Sequence, residues 1–159
     1  LETALTSMVF SSDPYTDVDQ VISVFMGDPG PASFGELQLM IDRHFSNDTV
    51  EEIISGPDQE DDEWAVHTVK GLRTKSPTSL KLTFRQIRKG ATRNFDDCMK
   101  QEWRMVNRVV KGTDFYEGVR ALLIDKDRSP SWAPAKLEKV SDADIAAYFE
   151  PLDTGDLEI

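Results

Sequence analysis

The residues best suited to chemistry lie in the block Asp125-Lys126-Asp127-Arg128-Ser129-Pro130-Ser131-Trp132. A flat aromatic beside basic side chains can stack on an adenine while the cations meet its phosphates, which makes Lys126 and Trp132 candidate contacts for a nucleotide-bearing ligand. The alternative for Trp132 is a core anchor that pins a proline-rich turn, because most large aromatics are structural. A second feature is the stretch Trp64–Phe95, which has no Asp or Glu but carries Lys70, Arg73, Lys75, Lys81, Arg85, Arg88, Lys89 and Arg93. That island is either the solvated side of two helices or a site for phosphate or an acidic neighbouring surface. Ser76-Pro77 would open a helix within it, and free N–H groups at such a start, with Lys75 and Lys81 nearby, suit an anion.

Other chemistry is not spelled out. The chain has one cysteine and two histidines. Cys98 has no histidine near it in sequence and reads as an inert, half-buried thiol. His44 and His67 sit at the edges of helical stripes, and Ser7, Ser79 and Ser131 have no adjacent base. The acidic runs are exposed, where water keeps carboxylates ionised. There is no Cys/His cluster with metal spacing, phosphate-cradling glycine loop or G-x-S-x-G turn. No catalytic residue and no metal ligand is therefore expected.

The elements that would position these residues read almost entirely as helix. Asp13-Pro14 opens a run with Val18, Val21, Ile22 and Phe25, and Ser33 precedes Leu37, Met40 and Ile41. Asp48 with Glu51, and Asp114 with Glu117, have capping-box spacing. Asp58–Glu63 is an acidic loop or the negative start of a helix carrying Trp64, Val66, Val69 and Leu72. After Ser76-Pro77, Leu80, Phe84 and Ile87 share a face. The longest helix should run from about Asn94 to Lys111 with a stripe of Phe95, Met99, Trp103, Val106 and Val110. The helix opened by Asp114 carries Val119, Leu122 and Leu123, and Ser141 caps a last helix with Ile145, Tyr148 and Phe149. The expectation is all-α, in one region over residues 1–159: leading helices to 57, an acidic loop at 58–63, covering and assembly helices over 64–150, and a tail over 151–159.

Composition sets outer bounds. With 159 residues, 39% hydrophobic and 30% charged, the chain suits one domain with a core. A net charge of -11 argues against nucleic acid as a direct ligand. No apolar run approaches membrane-spanning length, and the lone cysteine suits a reducing compartment. Leu1 at the start gives the sequence the look of a piece of something longer. Short acidic helices are marginal alone and must be stabilised by packing, among themselves or on a surface outside the chain.

Several runs together resemble 3-hydroxyisobutyryl-coenzyme A hydrolases, a branch of the crotonase (enoyl-CoA hydratase/isomerase) superfamily. They are Phe45-Ser-Asn-Asp-Thr-Val-Glu-Glu-Ile-Ile, Ser76-Pro-Thr-Ser-Leu-Lys, Gln101-Glu-Trp-Arg-Met, Asp114-Phe-Tyr-Glu-Gly-Val-Arg-Ala-Leu-Leu-Ile-Asp-Lys-Asp and Ser129-Pro-Ser-Trp. The resemblance runs in order from about Phe45 to Phe149, while residues 1–44 match only in helical character. It implies the C-terminal helical portion of a crotonase-like fold, without the ββα spiral core that holds the oxyanion hole and catalytic acids. The intact protein would be an enzyme, a mitochondrial matrix thioesterase of valine breakdown. Coenzyme A would enter as part of its substrate, with no separate cofactor. The implied partners are the N-terminal core, the acyl-CoA substrate and further copies of the chain; membrane and nucleic acid are not among them. By the same resemblance, Lys126 and Trp132 would lie near the coenzyme. A non-catalytic hydrolase-like interaction subunit, as in some mitochondrial ribosomes, and another crotonase such as an enoyl-CoA hydratase are the alternatives.

Overall fold

A computed structural model of the chain describes residues 1–56 and 63–158, so the acidic loop expected at 58–63, except for Glu63, and the final Ile159 lie outside the described residues. Among the described residues the regular structure is helical and no strand occurs. No helix among them is long and apolar enough to cross a membrane. The backbone divides into two compact units, Leu1–Leu39 and Met40–Ile159.

The first unit holds α1 (Glu2–Thr6) and α2 (Pro14–Phe25). Asp13 caps α2 as its sequence requires, its carboxylate accepting from the Thr16 N–H at 3.3 Å with proline at the first helical position. Neither helix buries a residue, and Val24, Phe25 and Met26 are exposed. The expected helix after Ser33 starts later. A 3-10 turn over Gly35–Leu37 leads into α3 (Gln38–Phe45).

In the second unit α4 (Val50–Ser55) and α5 (Glu63–Leu72) follow α3. The capping box before α4 is displaced by one residue from the expected Asp48/Glu51 pair. Thr49 accepts from the Glu52 N–H, and the Glu52 carboxylate accepts in return from Thr49 N and Asp48 N, each at 3.1 Å. The longer Glu arm reaches back over the turn, and Glu51 is left to pair with Lys81 at 2.6 Å. Val50, Ile53, Ala65, Val69 and His44 are the buried residues of this group.

Then come α6 (Pro77–Gly90), α7 (Phe95–Val109), α8 (Thr113–Val119) and α9 (Asp142–Ala147). Ser76 caps α6 and Asn94 caps α7 through 3.1 and 2.8 Å bonds, while Ser141 and Asp144 form the capping box of α9. The main core joins three of these helices: Leu82 from α6, Met105 from α7, and Val140, Ile145 and Phe149 at and around α9. Two stripes read from the sequence face elsewhere. Leu80 and Phe84 line a groove of about 330 Å³ with Phe45, Val50, Ile53 and Leu72, and Ile87 on the same groove is 67% exposed. On α7 Phe95, Trp103, Val106 and Val110 of the expected stripe are exposed and Met99 is half-buried, and the helix turns Met105 and Gln101 inward instead, Gln101 being only 2% exposed. Both helices carry apolar residues on two sides, so periodicity alone cannot say which side finds a partner.

Basic side chains lock these elements together from the α6 and α7 surfaces. Arg88 donates to the Phe45 and Asn47 carbonyls at 2.9 Å, and Lys81 to Val140 O at 3.0 Å. Arg85 and Lys89 both sit over the Phe149 ring, at 5.4 and 4.6 Å. Arg104 grips both oxygens of Asp156 and donates to Phe149 O, while Arg108 donates to Glu150 O and Pro151 O. The expected tail, 151–159, is thus tied to α7 at Pro151 and Asp156.

Candidate functional site

The second sequence-predicted capping box does not form, and its two acids serve the connection around Trp132 instead. Helix α8 starts from Gly112, which offers no side-chain cap. Asp114 accepts from the Ser76 hydroxyl at 2.5 Å and from the Ala133 N–H at 2.9 Å, tying the start of α6 to the residue after Trp132. The carboxylate therefore takes the place beside the α6 start where a phosphate was conceivable, and its charge disfavours a second anion there.

Glu117 points into a charged hub with Arg120 at its centre. The Arg120 guanidinium donates to both Glu117 oxygens at 2.9 and 2.8 Å, to Asp125 at 2.7 Å, to Asp127 at 2.6 Å and to the Ser129 carbonyl at 3.2 Å. Glu117 also accepts from the Ser131 N–H at 2.7 Å, and Asp127 from Ser129 N–H at 2.8 Å. Planar guanidinium geometry suits this division among several carboxylates. The Arg120 hydrogen bonds, with that from Ser131, hold the Glu117 carboxyl down at about 2. The same cation lowers Asp127 and is itself held more firmly protonated.

The hub folds the backbone of the block that the sequence singled out. Residues 120–124 make a π-turn that leaves Leu122, Leu123 and Ile124 exposed and Ala121 buried. Lys126 and Arg128 then take left-handed backbone angles, φ 57° and 53°. The Trp132 indole N–H donates to the Thr74 carbonyl at 3.0 Å. A Cβ on Gly118 would stand 3.4 Å from the edge of the Trp132 ring, at ordinary van der Waals distance, so the indole lies against α8 at that residue. Both readings of Trp132 thus have a counterpart. The ring is half-buried and anchored, yet it also lines an open cleft of about 520 Å³.

That cleft runs between the starts of α6 and α8, and its cations are Lys75 and Lys111, with Phe115 and Tyr148 as further aromatics. Lys126 is exposed and does not line it. The two candidate contacts therefore share one connection but not one cavity. Asp125 and Asp127, which flank Lys126, are engaged by Arg120. The hub itself was missed because Glu117 to Asp127 spans a helix end and a π-turn. The Glu117–Arg120 spacing of three was the available signal. In the basic island, Lys81, Arg85 and Arg88 serve backbone carbonyls, and burial with the neighbouring Arg85 and Arg93 charges lowers Lys89. Among the described residues no cluster of His, Cys, Asp and Glu could hold a metal ion.

Comparison with known proteins agrees with the motif resemblance and extends it. The enoyl-CoA hydratase/isomerase family profile matches residues 1–149, upstream of Phe45 as well as beyond it. The chain is 43% identical over 131 residues to the 3-hydroxyisobutyryl-CoA hydrolase, mitochondrial, of Gallus gallus, covering 78% of the chain and 34% of that protein. It is 41% identical over 160 residues to the probable 3-hydroxyisobutyryl-CoA hydrolase 3 of Arabidopsis thaliana, covering 94% and 42%. Among solved structures, a carnitinyl-CoA dehydratase from Mycobacterium thermoresistibile superposes with a TM-score of 0.77 at 31% identity, over 87% of this chain and 40% of that one. An enoyl-CoA hydratase from Rhodobacter sphaeroides 2.4.1 gives 0.73 at 30%, over 92% and 46%. The chain thus spans less than half the length of each of these four proteins. A helical region matched by this profile from residue 1 to residue 149 belongs to the enoyl-CoA hydratase/isomerase family.

Proposed function

We propose that this chain is the helical C-terminal part of a 3-hydroxyisobutyryl-CoA hydrolase, a mitochondrial matrix enzyme that cleaves the acyl-CoA thioester in valine breakdown. The observation that carries the reading is the 41% identity to a probable hydrolase sustained over 94% of the chain. Thioester hydrolysis needs preorganised donors at the developing oxyanion and a positioned acid or base. In this reading both come from the remainder of the protein, and this chain covers that core and contacts the coenzyme through Lys126 and Trp132. The exposed apolar side of α7 and the Leu122–Ile124 turn are the surfaces that meet the core or a second copy.

A second reading, another acyl-CoA enzyme of the family, is favoured by the superpositions on a dehydratase and a hydratase. It carries less weight, because identity to those two is 30–31% against 41–43% for the hydrolases.

The test is the intact mass of the protein purified from its source, measured together with turnover of 3-hydroxyisobutyryl-CoA. Hydrolysis by a species well above 17.9 kDa is expected. A larger native protein that hydrates a crotonyl-CoA double bond and leaves the thioester intact supports the second reading instead. Hydrolysis by a native species of the mass of this chain contradicts the division of labour.

A further inference from the structure

We propose that Arg120 is the positioning residue of the Trp132 connection: it touches no ligand, but it sets the path of Asp125–Trp132 and so the placement of Trp132 and Lys126. That these two residues meet a coenzyme rests on the function proposed above; the positioning itself does not.

Lys126 and Arg128 flank Asp127, and both hold left-handed angles that a residue with a side chain keeps only where its surroundings over-determine it. Asp127 is fixed at both oxygens, one by Arg120 and one by Ser129 N–H. Asp125, just before the pair, is bound by the same guanidinium nitrogen, and the Ser129 carbonyl just after it by another. The last link is Glu117, whose carboxylate receives Arg120 on both oxygens and the N–H of Ser131, the residue next to Trp132. One guanidinium therefore joins Asp125, Asp127 and Glu117, while the Ser129, Ser131 and Arg128 N–H groups add backbone ties to Asp127, Glu117 and the Ala121 carbonyl. Without it, three carboxylates face one another with no cation between them, and mutual repulsion opens the loop. A lysine, as a single point charge, cannot reproduce five directed bonds.

The competing account is that Trp132 holds itself, through its bond to Thr74 O and its seat on Gly118, with Ala133 tied to Asp114. The two are separated by making Trp132 the sole emitter, with Trp64→Phe and Trp103→Phe, and measuring acrylamide quenching of the 159-residue chain. Arg120→Gln should raise the quenching constant about twofold or more while far-UV helicity stays constant, as local loosening without unfolding requires. Arg120→Lys should fail to restore the parent value, and Asp127→Asn should give a smaller rise. Quenching in Arg120→Gln equal to the parent overturns the proposal. If Arg120→Gln loses helicity, Asp127→Asn and Asp125→Asn carry the test, and unchanged quenching in both overturns it. Titration with coenzyme A is the independent arm. Affinity about tenfold weaker in Arg120→Gln, near 1.4 kcal/mol, supports the whole chain of inference. Equal affinity despite a loosened Trp132 overturns the coenzyme contact and leaves the positioning role supported.

Discussion

At the scale of single residues, Glu117 is the group whose chemistry the fold changes most. Its ordinary value of 4.5 falls to about 2 because the carboxylate is held by Arg120 and by Ser131 N–H. A carboxyl depressed in the folded state contributes stability that is fully present above its unfolded value and lost as pH falls through the folded one. Glu117 should therefore support the fold above about pH 4.5 and cease to do so as pH approaches 2. Thermal unfolding of the parent and of Glu117→Gln across that range checks this. The gap between them should be widest above pH 4.5 and close towards pH 2, and a gap independent of pH would mean that the hub does not carry the charge. Asp156, lowered by Arg104, adds to the acid sensitivity of the parent but not to the difference, whereas Asp127 shares Arg120 with Glu117 and enters both.

At the scale of elements, caps decide where the helices begin, and they are also what the sequence expresses most clearly. Ser76-Pro77, Asn94 and Ser141 announce α6, α7 and α9, because a short side-chain acceptor beside free N–H groups is a local signal. Asp48 and Asp114 misled for the opposite reason. Their spacing to a glutamate fits a capping box, but Thr49 caps α4 in one case, and Ser76 and Ala133, distant in sequence, claim the carboxylate in the other. Ser76 is the more consequential residue, since its hydroxyl accepts from Ser79 N–H and donates to Asp114 at once. Ser76→Ala should cost about 1–2 kcal/mol in urea unfolding, at the upper end of cap losses because Asp114 also loses a partner. A change within error would show that Asp114 is held by Ala133 alone.

For the molecule as a whole, the all-α character and the family were legible, while the side each helix buries was not. Leu82 and Met105 are the buried apolar residues of α6 and α7, yet the stripes that stand out in sequence are Leu80–Phe84–Ile87 and Phe95–Met99–Trp103–Val106–Val110, of which Met99 is half-buried. The chain exposes Trp103, Val106, Val110, Leu122 and Leu123, the residues proposed above to meet the core or a second copy. Trp103→Gln with Val106→Gln should leave stability within about 0.5 kcal/mol per site and reduce binding of a hydrophobic dye. Met105→Ala, 6% exposed and in the core, should cost about 2–5 kcal/mol. Loss of stability in the double glutamine variant would mean that the α7 stripe is packed within this chain after all. The most direct measurement of the division of labour is thiol release from 3-hydroxyisobutyryl-CoA by the purified 159-residue chain. Release no faster than in buffer is expected, and enzymatic turnover by this chain alone would mean that it carries its own catalytic groups.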